Sequence, residues 1–429
     1  MSRTIMEMAS LGETCREVQL VSRDEGVEEQ ELMRLIAQGL CVIPRSLTKP
    51  KDRPVGIGQG LRTKVNANIG TSKGMSSVEE ELKKLEGAVS AGAHTVMDLS
   101  TGDDAQEVLE AVLDRSQVPV GTVPLYFAAV RCRLQGRKVV DMTVDEMFHA
   151  VELHGRMGVD FVTVHTGLTR NALHHLTSQG RVTNIVSRGG SILAAWMIHN
   201  DRENPFAEDF DRLLEIARRW DMTLSLGDGL RPGSGSDATD RAQVAELLEL
   251  GRQVKMCREA KVQAMVEGPG HVPLGQIRTN VELQKRLCQG APFYVLGPLV
   301  TDSAPGMDHL VGAIGGAVAA SAGADFLCYV TPKEHLGFPS LEDVVEGVRA
   351  SLVAAHVGDM EKGIPWALER DRIMSEARGA MDWEAQRKAA LTPWAFQQDP
   401  HRSQEGCAMC GPLCAMRIAR EAIASWKKV

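Results

Sequence analysis

Three cysteines lie close together near the C-terminus, in the string "CAMCGPLCAM". Two residues separate Cys407 from Cys410, and three separate Cys410 from Cys414. Three thiolates suit a soft metal centre, but a zinc site needs a fourth ligand, for which His401 is the nearest candidate. A [4Fe–4S] cluster on three cysteines leaves one iron open, and that iron can bind the amino and carboxylate groups of S-adenosylmethionine. The spacing favours the cluster and leaves zinc as the alternative.

Two histidines, His271 and His335, occur in the loops "EGPGHVP" and "TPKEHLG" after predicted strands. Two imidazoles can bind a divalent metal, zinc or iron, with water in the open positions. The structural alternative is that each histidine is an ordinary polar side chain with a local hydrogen bond. The pattern alone leaves both interpretations open.

Two glycine-rich loops, "SRGG" and "GDGLRPG", each contain an arginine. Glycines let backbone N–H groups approach phosphate oxygens, and an arginine adds a charge-assisted hydrogen-bond fork. These loops are candidates for binding an anion, and two tight structural turns are the alternative.

The elements that must position these residues alternate between short β-prone strings and amphipathic helices from about residue 62 onward. Such alternation predicts parallel strands joined by crossover helices, and the number of units favours a (β/α)8 barrel of the TIM type in the α/β class. The strand candidates are "KVNANIG", "HTVMDLSTG", "VPVGTVPLY", "DFVTVHTG", "TNIVSRGG", "TLSLGDG", "VQAMVEGPGH", "FYVLGP" and "DFLCYVTP". Polar residues cluster where these strands end, which is the catalytic face of a barrel.

The chain is predicted to have three parts. Residues 1–61 form a small helical and loop segment, residues 62–345 form the barrel with the substrate and metal sites, and residues 346–429 form a helical domain that carries the cysteines. In the last part, "ALERDRIMSEARGAMDWEAQRKAAL" is predicted to be one long helix.

The composition of the chain argues against several classes of protein. The 429 residues have a net charge of -8 and no polybasic run, which argues against a nucleic acid or an anionic membrane as the main partner. The first residues lack the apolar core of a signal peptide, and no apolar stretch is long enough to span a bilayer. Six of the nine cysteines are dispersed along the chain, and this dispersal with an odd total indicates reduced thiols in the cytoplasm.

The motifs together resemble the phosphomethylpyrimidine synthase family, over roughly residues 54–414. The matching strings, in order, are "VNANIGTS", "TVMDLSTG", "SLGDGLRPG", "EGPGHVP", "APFYVLGPL", "CYVTPKEHLG" and "CAMCG". The resemblance implies a radical S-adenosylmethionine lyase of barrel fold that acts on 5-aminoimidazole ribotide. It also implies a flavodoxin- or ferredoxin-like electron donor and a homodimer in which the C-terminal segment reaches the barrel of the partner.

The resemblance further implies specific roles for residues of this chain. Cys328 and Glu267 are the implied catalytic residues, His271 and His335 the ligands of a divalent metal, and the three clustered cysteines the ligands of the [4Fe–4S] cluster. The implied ribotide contacts are Asn68, Met97, Tyr126, His165, Ser187, Arg188, Gly189, Asp228, Gly229, Leu230, Arg231, Glu267 and Tyr294.

Four departures from the family pattern bear on the product. Phe127, Thr166, Ser303 and Met307 stand where pyrimidine synthases have other residues. Phe127 adjoins Tyr126, Thr166 adjoins His165, and the other two flank the "APG" loop. With every implied ribotide contact present, these changes predict 5-hydroxybenzimidazole as the product, as in the branch of the family that makes the lower ligand of cobalamin anaerobically. The alternative is the aminopyrimidine phosphate of thiamine biosynthesis.

Two hypotheses from other classes remain at this stage. A zinc-stabilised barrel that only binds a nucleotide predicts a colourless protein, and a metal-dependent hydrolase using the two histidines predicts activity in air. The radical enzyme instead predicts a brown, oxygen-sensitive protein.

Overall fold

A computed structural model describes residues 3–396 and 409–426. Cys407 and the alternative zinc ligand His401 lie outside the described residues. The chain divides into two compact units, Met1–Lys362 and Gly363–Val429. This division leaves the long helix that follows the last strand with the first unit, whereas the sequence analysis placed a boundary after residue 345.

The N-terminal segment contains three helices and a two-stranded antiparallel sheet, with its own small hydrophobic core. The elements are α1 Ile5–Ser10, α2 Arg16–Glu25, α3 Glu29–Ala37, β1 Cys41–Val42 and β2 Ile57–Gly58. The backbone N–H of Ile5 donates to Asp221 at 3.0 Å, and Ile43 exchanges hydrogen bonds with the side chain of Gln263. Both partners immediately precede barrel strands, so the segment attaches at the N-terminal ends of the strands.

Eight parallel strands close the barrel in the order β10-β3-β4-β5-β6-β7-β8-β9. Their bounds are β3 Lys64–Ile69, β4 Thr95–Asp98, β5 Val120–Thr122, β6 Phe161–Val164, β7 Thr223–Leu226, β8 Ala264–Gly268, β9 Phe293–Leu296 and β10 Phe326–Cys328. All eight strands are almost entirely buried. This is expected for a parallel barrel, because helices cover the outer face of each strand and side chains from the other strands cover its inner face. The predicted (β/α)8 fold class is confirmed.

Twelve described helices belong with the barrel. They are α4 Val78–Ala91, α5 Ala105–Arg115, α6 Pro124–Leu134, α7 Val144–Met157, α8 Arg170–Gln179, α9 Arg188–Asn200, α10 Pro205–Glu208, α11 Phe210–Trp220, α12 Arg241–Glu259, α13 Leu274–Leu287, α14 Asp308–Ala322 and α15 Leu341–Glu361. Local sequence fixes their ends. In α4, Ser77 and Glu80 form a reciprocal capping box, and Gly92 ends the helix in the left-handed conformation.

The second unit contains three described helices, α16 Pro365–Ala380, α17 Trp383–Ala389 and α18 Ala415–Trp426. The single long helix predicted here is wrong, because Met381 adopts φ 59° and ends α16. The side chain of Asp382 then accepts from the backbone N–H of Ala385 and starts α17.

Two strand predictions need correction. No strand forms at "TNIVSRGG", where the chain instead runs as a loop into α9. Strand β5 ends at Thr122, and Pro124 begins α6, so Tyr126 lies in the first turn of a helix and not at a strand end. Proline at the first position of a helix explains the early start.

Candidate active site

A cavity of about 310 Å³ opens at the C-terminal ends of the barrel strands. Ten residues that the sequence analysis named line it: Asn68, Met97, Tyr126, His165, Arg188, Asp228, Arg231, Glu267, Tyr294 and Cys328. Strands β3, β4, β8, β9 and β10, the loops after β6 and β7, and the first turns of α6 and α9 bring these residues together from positions far apart in the sequence. We refer to this space as the central cavity.

One side of the central cavity holds a hydrogen-bonded group around Cys328. The Nδ2 atom of Asn68 donates to the Cys328 sulfur at 3.2 Å, and that of Asn66 donates to the Tyr294 hydroxyl at 2.8 Å. The Tyr294 ring stacks on Phe326, with 4.2 Å between the ring centroids. Burial raises the pKa of the Cys328 thiol to about 12, so the sulfur is a neutral S–H group at neutral pH.

Next to this group, the cavity wall holds two carboxyl groups and an arginine. Arg231 Nη1 lies 3.3 Å from Asp228 Oδ1, whereas the other Asp228 oxygen is buried without a hydrogen-bond partner among the described residues. Burial raises the pKa of Asp228 to about 8, because the attraction of Arg231 is partly cancelled by the negative charge of Glu267. Burial also raises the pKa of Glu267. The pair can therefore hold a proton near neutral pH, which suits transfer to or from a bound amine or imidazole nitrogen.

Hydrogen bonds from neighbouring strands fix the position of Glu267. Its Oε1 atom accepts from the Thr163 hydroxyl at 2.6 Å and from the Ser225 hydroxyl at 3.0 Å. Thr163 is on β6 and Ser225 on β7, so two strands orient one carboxyl group toward the cavity.

His165 lines the cavity as a neutral imidazole. Burial lowers its pKa to about 3, and its Nδ1 atom has no hydrogen-bond partner among the described residues. A Cβ atom on Gly189 would lie 2.1 Å from the Cε1 atom of His165, so only glycine fits beside this ring. The unpartnered nitrogen is available to a ligand.

The N-terminus of α9 forms a further edge of the cavity. Ser187 caps this helix by accepting from the backbone N–H of Gly190, and the Arg188 guanidinium lies 5.0 Å from the centroid of the Tyr126 ring. A Cβ atom on Gly190 would lie 2.1 Å from the carbonyl oxygen of Gly229, so the helix and the loop after β7 touch through their backbones. A helix N-terminus with an adjacent arginine suits a phosphate group.

Four of the sequence-predicted contacts are not among the described residues that line the cavity. Two of them, Ser187 and Gly189, lie at the N-terminus of α9, and Gly229 lies in the loop after β7. Leu230 is fully buried, and its backbone N–H donates to Glu246 at 2.8 Å. These positions shape the loops that carry Arg188, Asp228 and Arg231.

The two histidines proposed as metal ligands lie together, with 5.1 Å between the ring centroids of His271 and His335. Each Nδ1 atom lies 2.7 Å from an aspartate oxygen, Asp302 for His271 and Asp308 for His335. A carboxylate can only accept, so each Nδ1 donates and each Nε2 keeps its lone pair. The donor set fits a divalent metal held by two imidazoles, and no third ligand group joins them among the described residues.

The described part of the cysteine motif is a single tight turn. Cys410 and Cys414 flank a 3₁₀ turn at Gly411–Leu413, and the backbone N–H of Leu413 donates to the carbonyl of Cys410 at 3.0 Å. Cys410 is exposed, and Cys414 immediately precedes α18. Two accessible thiols on one turn fit the ligand set of an iron–sulfur cluster.

Sequence reasoning missed the residues that hold the site in place. Asp302 and Asp308 orient the histidines, and Thr163 and Ser225 orient Glu267. The string "TDSAPGMDH" contains both aspartates, one on each side of a proline-glycine turn. Their position on either side of this turn was a signal that could have identified them. The two hydroxyls gave none, because threonine and serine are unremarkable in buried strands.

The four substitutions that suggested a changed product do not line the central cavity in the described chain. Phe127 lines a separate outer groove of about 640 Å³ and contacts the His154 ring edge-to-face at 5.2 Å. Thr166 is fully buried and its hydroxyl bonds to Gln253. Met307 is 56 % exposed, and Ser303 is also exposed. The expectation that they reshape the pocket is therefore wrong.

The barrel is closed and parallel, and the cavity at the C-terminal ends of its strands is lined by polar groups, some of which have no hydrogen-bond partner among the described residues. These features are typical of a barrel enzyme. Comparison with known sequences shows the family to which the chain belongs. The profile of the radical SAM ThiC family matches residues 4–421, and the chain belongs to that family. Among the described residues, no helix combines the length and hydrophobicity needed to cross a bilayer.

Several named relatives are similar to this chain over nearly their whole length. Phosphomethylpyrimidine synthase of Moorella thermoacetica is 55% identical over 97% of this chain and 98% of its own. The enzymes of the same name from Desulforudis audaxviator and Desulforamulus reducens are 55% and 53% identical, over 96% and 97% of this chain and 96% and 98% of theirs. The family implies a [4Fe–4S] cluster and S-adenosylmethionine, as the cysteine motif predicted.

Proposed function

We propose that this enzyme converts 5-aminoimidazole ribotide, with eight carbons, to 4-amino-5-hydroxymethyl-2-methylpyrimidine phosphate, with six. The other two carbons leave as formate and carbon monoxide, and S-adenosylmethionine gives methionine and 5′-deoxyadenosine. The observation that carries the proposal is the central cavity, which combines a phosphate-binding helix N-terminus with a proton-holding carboxyl pair. A ribotide has both a phosphate and basic ring and amine nitrogens. The names of the relatives support the pyrimidine product, which the sequence analysis carried as its alternative.

The bound cluster, reduced by one electron, would cleave S-adenosylmethionine to methionine and a 5′-deoxyadenosyl radical. The chain's own residues then have distinct tasks. The N-terminus of α9 and Arg188 bind the ribotide phosphate, and His165 offers a neutral nitrogen to the substrate. Asp228 and Glu267 exchange protons with its nitrogens. Cys328 presents a neutral S–H group that can donate a hydrogen atom to a carbon radical, and the sulfur radical left behind can take a hydrogen atom back.

The product is the finer part of the proposal. 5-Hydroxybenzimidazole was inferred from substitutions that lie outside the cavity, so we rank it second. An anaerobic reaction with ribotide, S-adenosylmethionine and dithionite, analysed by chromatography and mass spectrometry, separates the two. Aminopyrimidine phosphate is the expected product, and a fluorescent benzimidazole phenol as the main product would overturn this choice.

The cluster assignment has a matched cysteine control. Cys410→Ala should abolish both the visible absorbance of the cluster and the formation of 5′-deoxyadenosine, because one of three ligands is lost. Cys15→Ala, which changes a cysteine of the N-terminal segment, should leave both unchanged. A full cluster in the Cys410 variant would contradict the assignment.

We further propose that His271 and His335 bind one divalent metal, zinc or iron, through their Nε2 atoms. The aspartate partners of both Nδ1 atoms support this, because such pairs fix the imidazole tautomer that binds metal. Replacing both histidines with alanine should remove one metal equivalent from a protein that lacks the three cluster cysteines. His174→Ala combined with His175→Ala, a pair of neighbouring surface histidines on α8, should remove none.

The partners remain proposals on the strength of the resemblance. We propose a cytoplasmic homodimer, in which the C-terminal segment of one chain reaches the barrel of the other, and a flavodoxin- or ferredoxin-like electron donor. Mixing a Cys410→Ala chain with a Glu267→Gln chain tests the arrangement, because each chain lacks a different half of the site. Recovery of activity on mixing supports it, and its absence in proven heterodimers contradicts it.

A further inference from the structure

A small space lies between helix α12 and the carboxyl pair of the central cavity, and we refer to it as the inner cavity. Its volume is about 20 Å³, and both Asp228 and Glu267 border it as well as the central cavity. On the side of α12 it is bordered by Glu246. Glu246 is not among the described residues that line the central cavity, so any effect it has on the reaction must pass through another residue.

Two buried carboxyl groups at the inner cavity each have one oxygen without a hydrogen-bond partner among the described residues. The Oε2 atom of Glu246 accepts from the backbone N–H of Leu230 at 2.8 Å, whereas its Oε1 atom has no partner. Asp228 is similar, because Oδ1 lies 3.3 Å from Arg231 Nη1 and Oδ2 has no partner. A buried oxygen in this state is unfavourable, so a hydrogen-bonding group between the two carboxyls would be stabilising.

The amide side chains that line the inner cavity are bonded to other groups. The Nε2 atom of Gln243 donates to Asn280 Oδ1 at 2.7 Å, and its Oε1 atom accepts from the backbone N–H of Thr239 at 2.7 Å. The Nδ2 atom of Asn280 donates to the Thr239 hydroxyl and to the carbonyl of Gln276, each at 2.9 Å. Four further lining residues have apolar side chains: Leu247, Leu250, Pro269 and Phe293. The two carboxyl oxygens therefore receive no donor from the described lining itself.

The inner cavity has room for one water molecule. About 10–15 Å³ is enough for a water, and a buried water needs at least two polar partners. The inner cavity exceeds this volume, and the two carboxyl groups supply the partners. A water in this space can accept from a protonated carboxyl group and donate to the other carboxyl group.

The charges around the inner cavity favour a protonated Glu246. Three acids border the space, and Arg231 is the cation beside Asp228. Arg181, which also attracts Glu246, is already paired with Asp240 through two N–H donors at 2.7 Å each. Burial and the negative charge of Asp228 raise the pKa of Glu246 well above its ordinary value of 4.5. Glu246 therefore holds a proton at neutral pH.

The other elements packed against Glu246 present neutral groups. A Cβ atom on Gly167, in the loop after β6, would lie 2.8 Å from the Cγ atom of Glu246. The titratable residue of that loop in the central cavity is His165, which is neutral because burial lowers its pKa to about 3. Helix α13 contributes the amide of Asn280. The charge state of Glu246 is thus coupled mainly to Asp228.

We propose that Glu246 and Asp228 share a proton through one water in the inner cavity, and that Glu246 supplies Asp228 with protons during the reaction. The inference rests on the proposed function, in which Asp228 exchanges protons with the ribotide. When Asp228 gives its proton to a substrate nitrogen, an N–H bond forms and the Asp228 O–H bond breaks. The water then gives a proton to Asp228 and takes the proton of Glu246, which becomes a carboxylate. The same shifts in reverse return the proton when a substrate nitrogen releases one.

Infrared spectroscopy of the cluster-loaded full chain, without substrate, tests the shared proton. At pH 7 the parent should show a carbonyl band of a protonated carboxyl group that Glu246→Gln lacks, and carbon-13 at the glutamate carboxyls should shift it. Asp228→Asn should change the frequency of this band, because an amide replaces the carboxyl group at the other end of the water. Absence of the band in the parent, or the same band in Asp228→Asn, would overturn the proposal. Should Glu246→Gln fail to fold, carbon-13 spectra of the parent and Asp228→Asn give the same comparison.

The pH dependence of turnover separates proton supply from a structural role. Glutamine keeps an acceptor for the Leu230 N–H but cannot give up a proton at the water. Glu246→Gln should therefore lower kcat roughly ten-fold or more, with the KM for ribotide within about two-fold of the parent. The basic limb of its pH profile should move to lower pH, because Asp228 then holds the only proton of the pair. Glu259→Gln, an exposed residue at the end of the same helix, is the control and should change neither quantity.

The two experiments separate this proposal from the proposed function. A pH profile of Glu246→Gln that matches the parent would overturn the supply of protons by Glu246, while pyrimidine formation by the parent would still uphold the proposed function. A parent that forms no aminopyrimidine phosphate would overturn the proposed function and, with it, the role of Glu246 in turnover. The infrared band would still decide whether the two carboxyl groups share a proton.

Discussion

Two buried carboxyl groups at opposite ends of the barrel contrast sharply in their surroundings. Glu25, at the N-terminal ends of the strands, contacts Arg62 and Lys64, with Lys64 Nζ at 3.1 Å. Burial opposes its charge, but the two cations outweigh burial and lower its pKa to about 2. Asp228, at the C-terminal ends, has one arginine and a second acid nearby, and its pKa is raised to about 8.

The difference shows how one fold uses buried charge for two purposes. Around Glu25 the donors and acceptors are satisfied within the protein, so the group stabilises the attachment of the N-terminal segment. Around Asp228, one carboxyl oxygen and the Nδ1 atom of the nearby His165 have no hydrogen-bond partner among the described residues. Barrels commonly separate stability at one face from catalysis at the other.

The largest expected effect on stability comes from removing the charge of Glu25, which pairs with two buried cations. Glu25→Gln should lower the free energy of unfolding by about 3–5 kcal/mol, because Lys64 and Arg62 stay buried without their carboxylate. Urea denaturation followed by circular dichroism measures it. Glu31→Gln, in an exposed pair with Arg34, is the control and should leave the midpoint unchanged. Similar midpoints for both variants would show that the buried pair contributes little.

Substitution of Asp228, at the C-terminal ends of the strands, should reduce activity without reducing stability. Asp228→Asn should reduce the turnover of ribotide about 10²-fold, because an amide cannot exchange a proton with the substrate. The variant should be at least as stable as the parent at pH 7, because folding of the parent there requires Asp228 to take up a proton that the unfolded chain has released, and the amide has no such cost. Asp211→Asn, on the exposed surface of α11, is the control. A variant that loses structure instead of turnover would contradict this division of roles.

The two carboxyls should also give stability opposite dependences on pH. Glu25 contributes stability above its ordinary pKa of 4.5, and this is lost as pH falls through about 2. Folded Asp228 keeps a proton that the unfolded chain releases above 3.8, so its contribution is lost as pH rises through about 8.

Between pH 5 and 8 the parent should therefore lose up to about 1.4 kcal/mol of unfolding free energy per pH unit relative to Asp228→Asn. Urea midpoints across this range measure the difference, and the other titrating groups are common to both proteins. Parallel curves would mean that Asp228 titrates normally in the folded chain.

The smallest effect is expected at Phe127 and Met307, which are apolar residues in neither of the two buried charged groups. Phe127→Gln and Met307→Tyr change residues that lie outside the central cavity, so product identity should not change. Catalytic efficiency should stay within about two-fold, as is usual for substitutions away from a site. A shift toward 5-hydroxybenzimidazole in the parent that either variant reverses would show that these distant positions influence the product.

The fold was largely predictable because alternating strands and amphipathic helices have different periods that survive in a single sequence. The exceptions arose where short-range chemistry overrode the pattern. Pro124 starts a helix directly after β5, and Ser187 caps α9 where an apolar string had suggested a strand. Both overrides depend on backbone geometry that residue periodicity does not record.

The site was predictable as a set of residues but not as a set of contacts. Motif strings named the ten cavity residues, yet adjacency in sequence misplaced Phe127, which points away from Tyr126 because neighbours on a helix face different directions. The aspartate partners of the histidines and the hydroxyl partners of Glu267 lie far from them in the sequence. Only the closed barrel brings them together.

The contact between α9 and the loop after β7 constrains how this sequence can drift. At Gly190 a methyl group would collide with a carbonyl oxygen 2.1 Å away, which cannot move without shifting the loop. At Gly229 the nearest atom to an added methyl is a Glu246 oxygen at 3.2 Å, at the end of a side chain. In a saturation library selected for growth without thiamine, position 190 should return glycine alone, whereas position 229 should also return alanine.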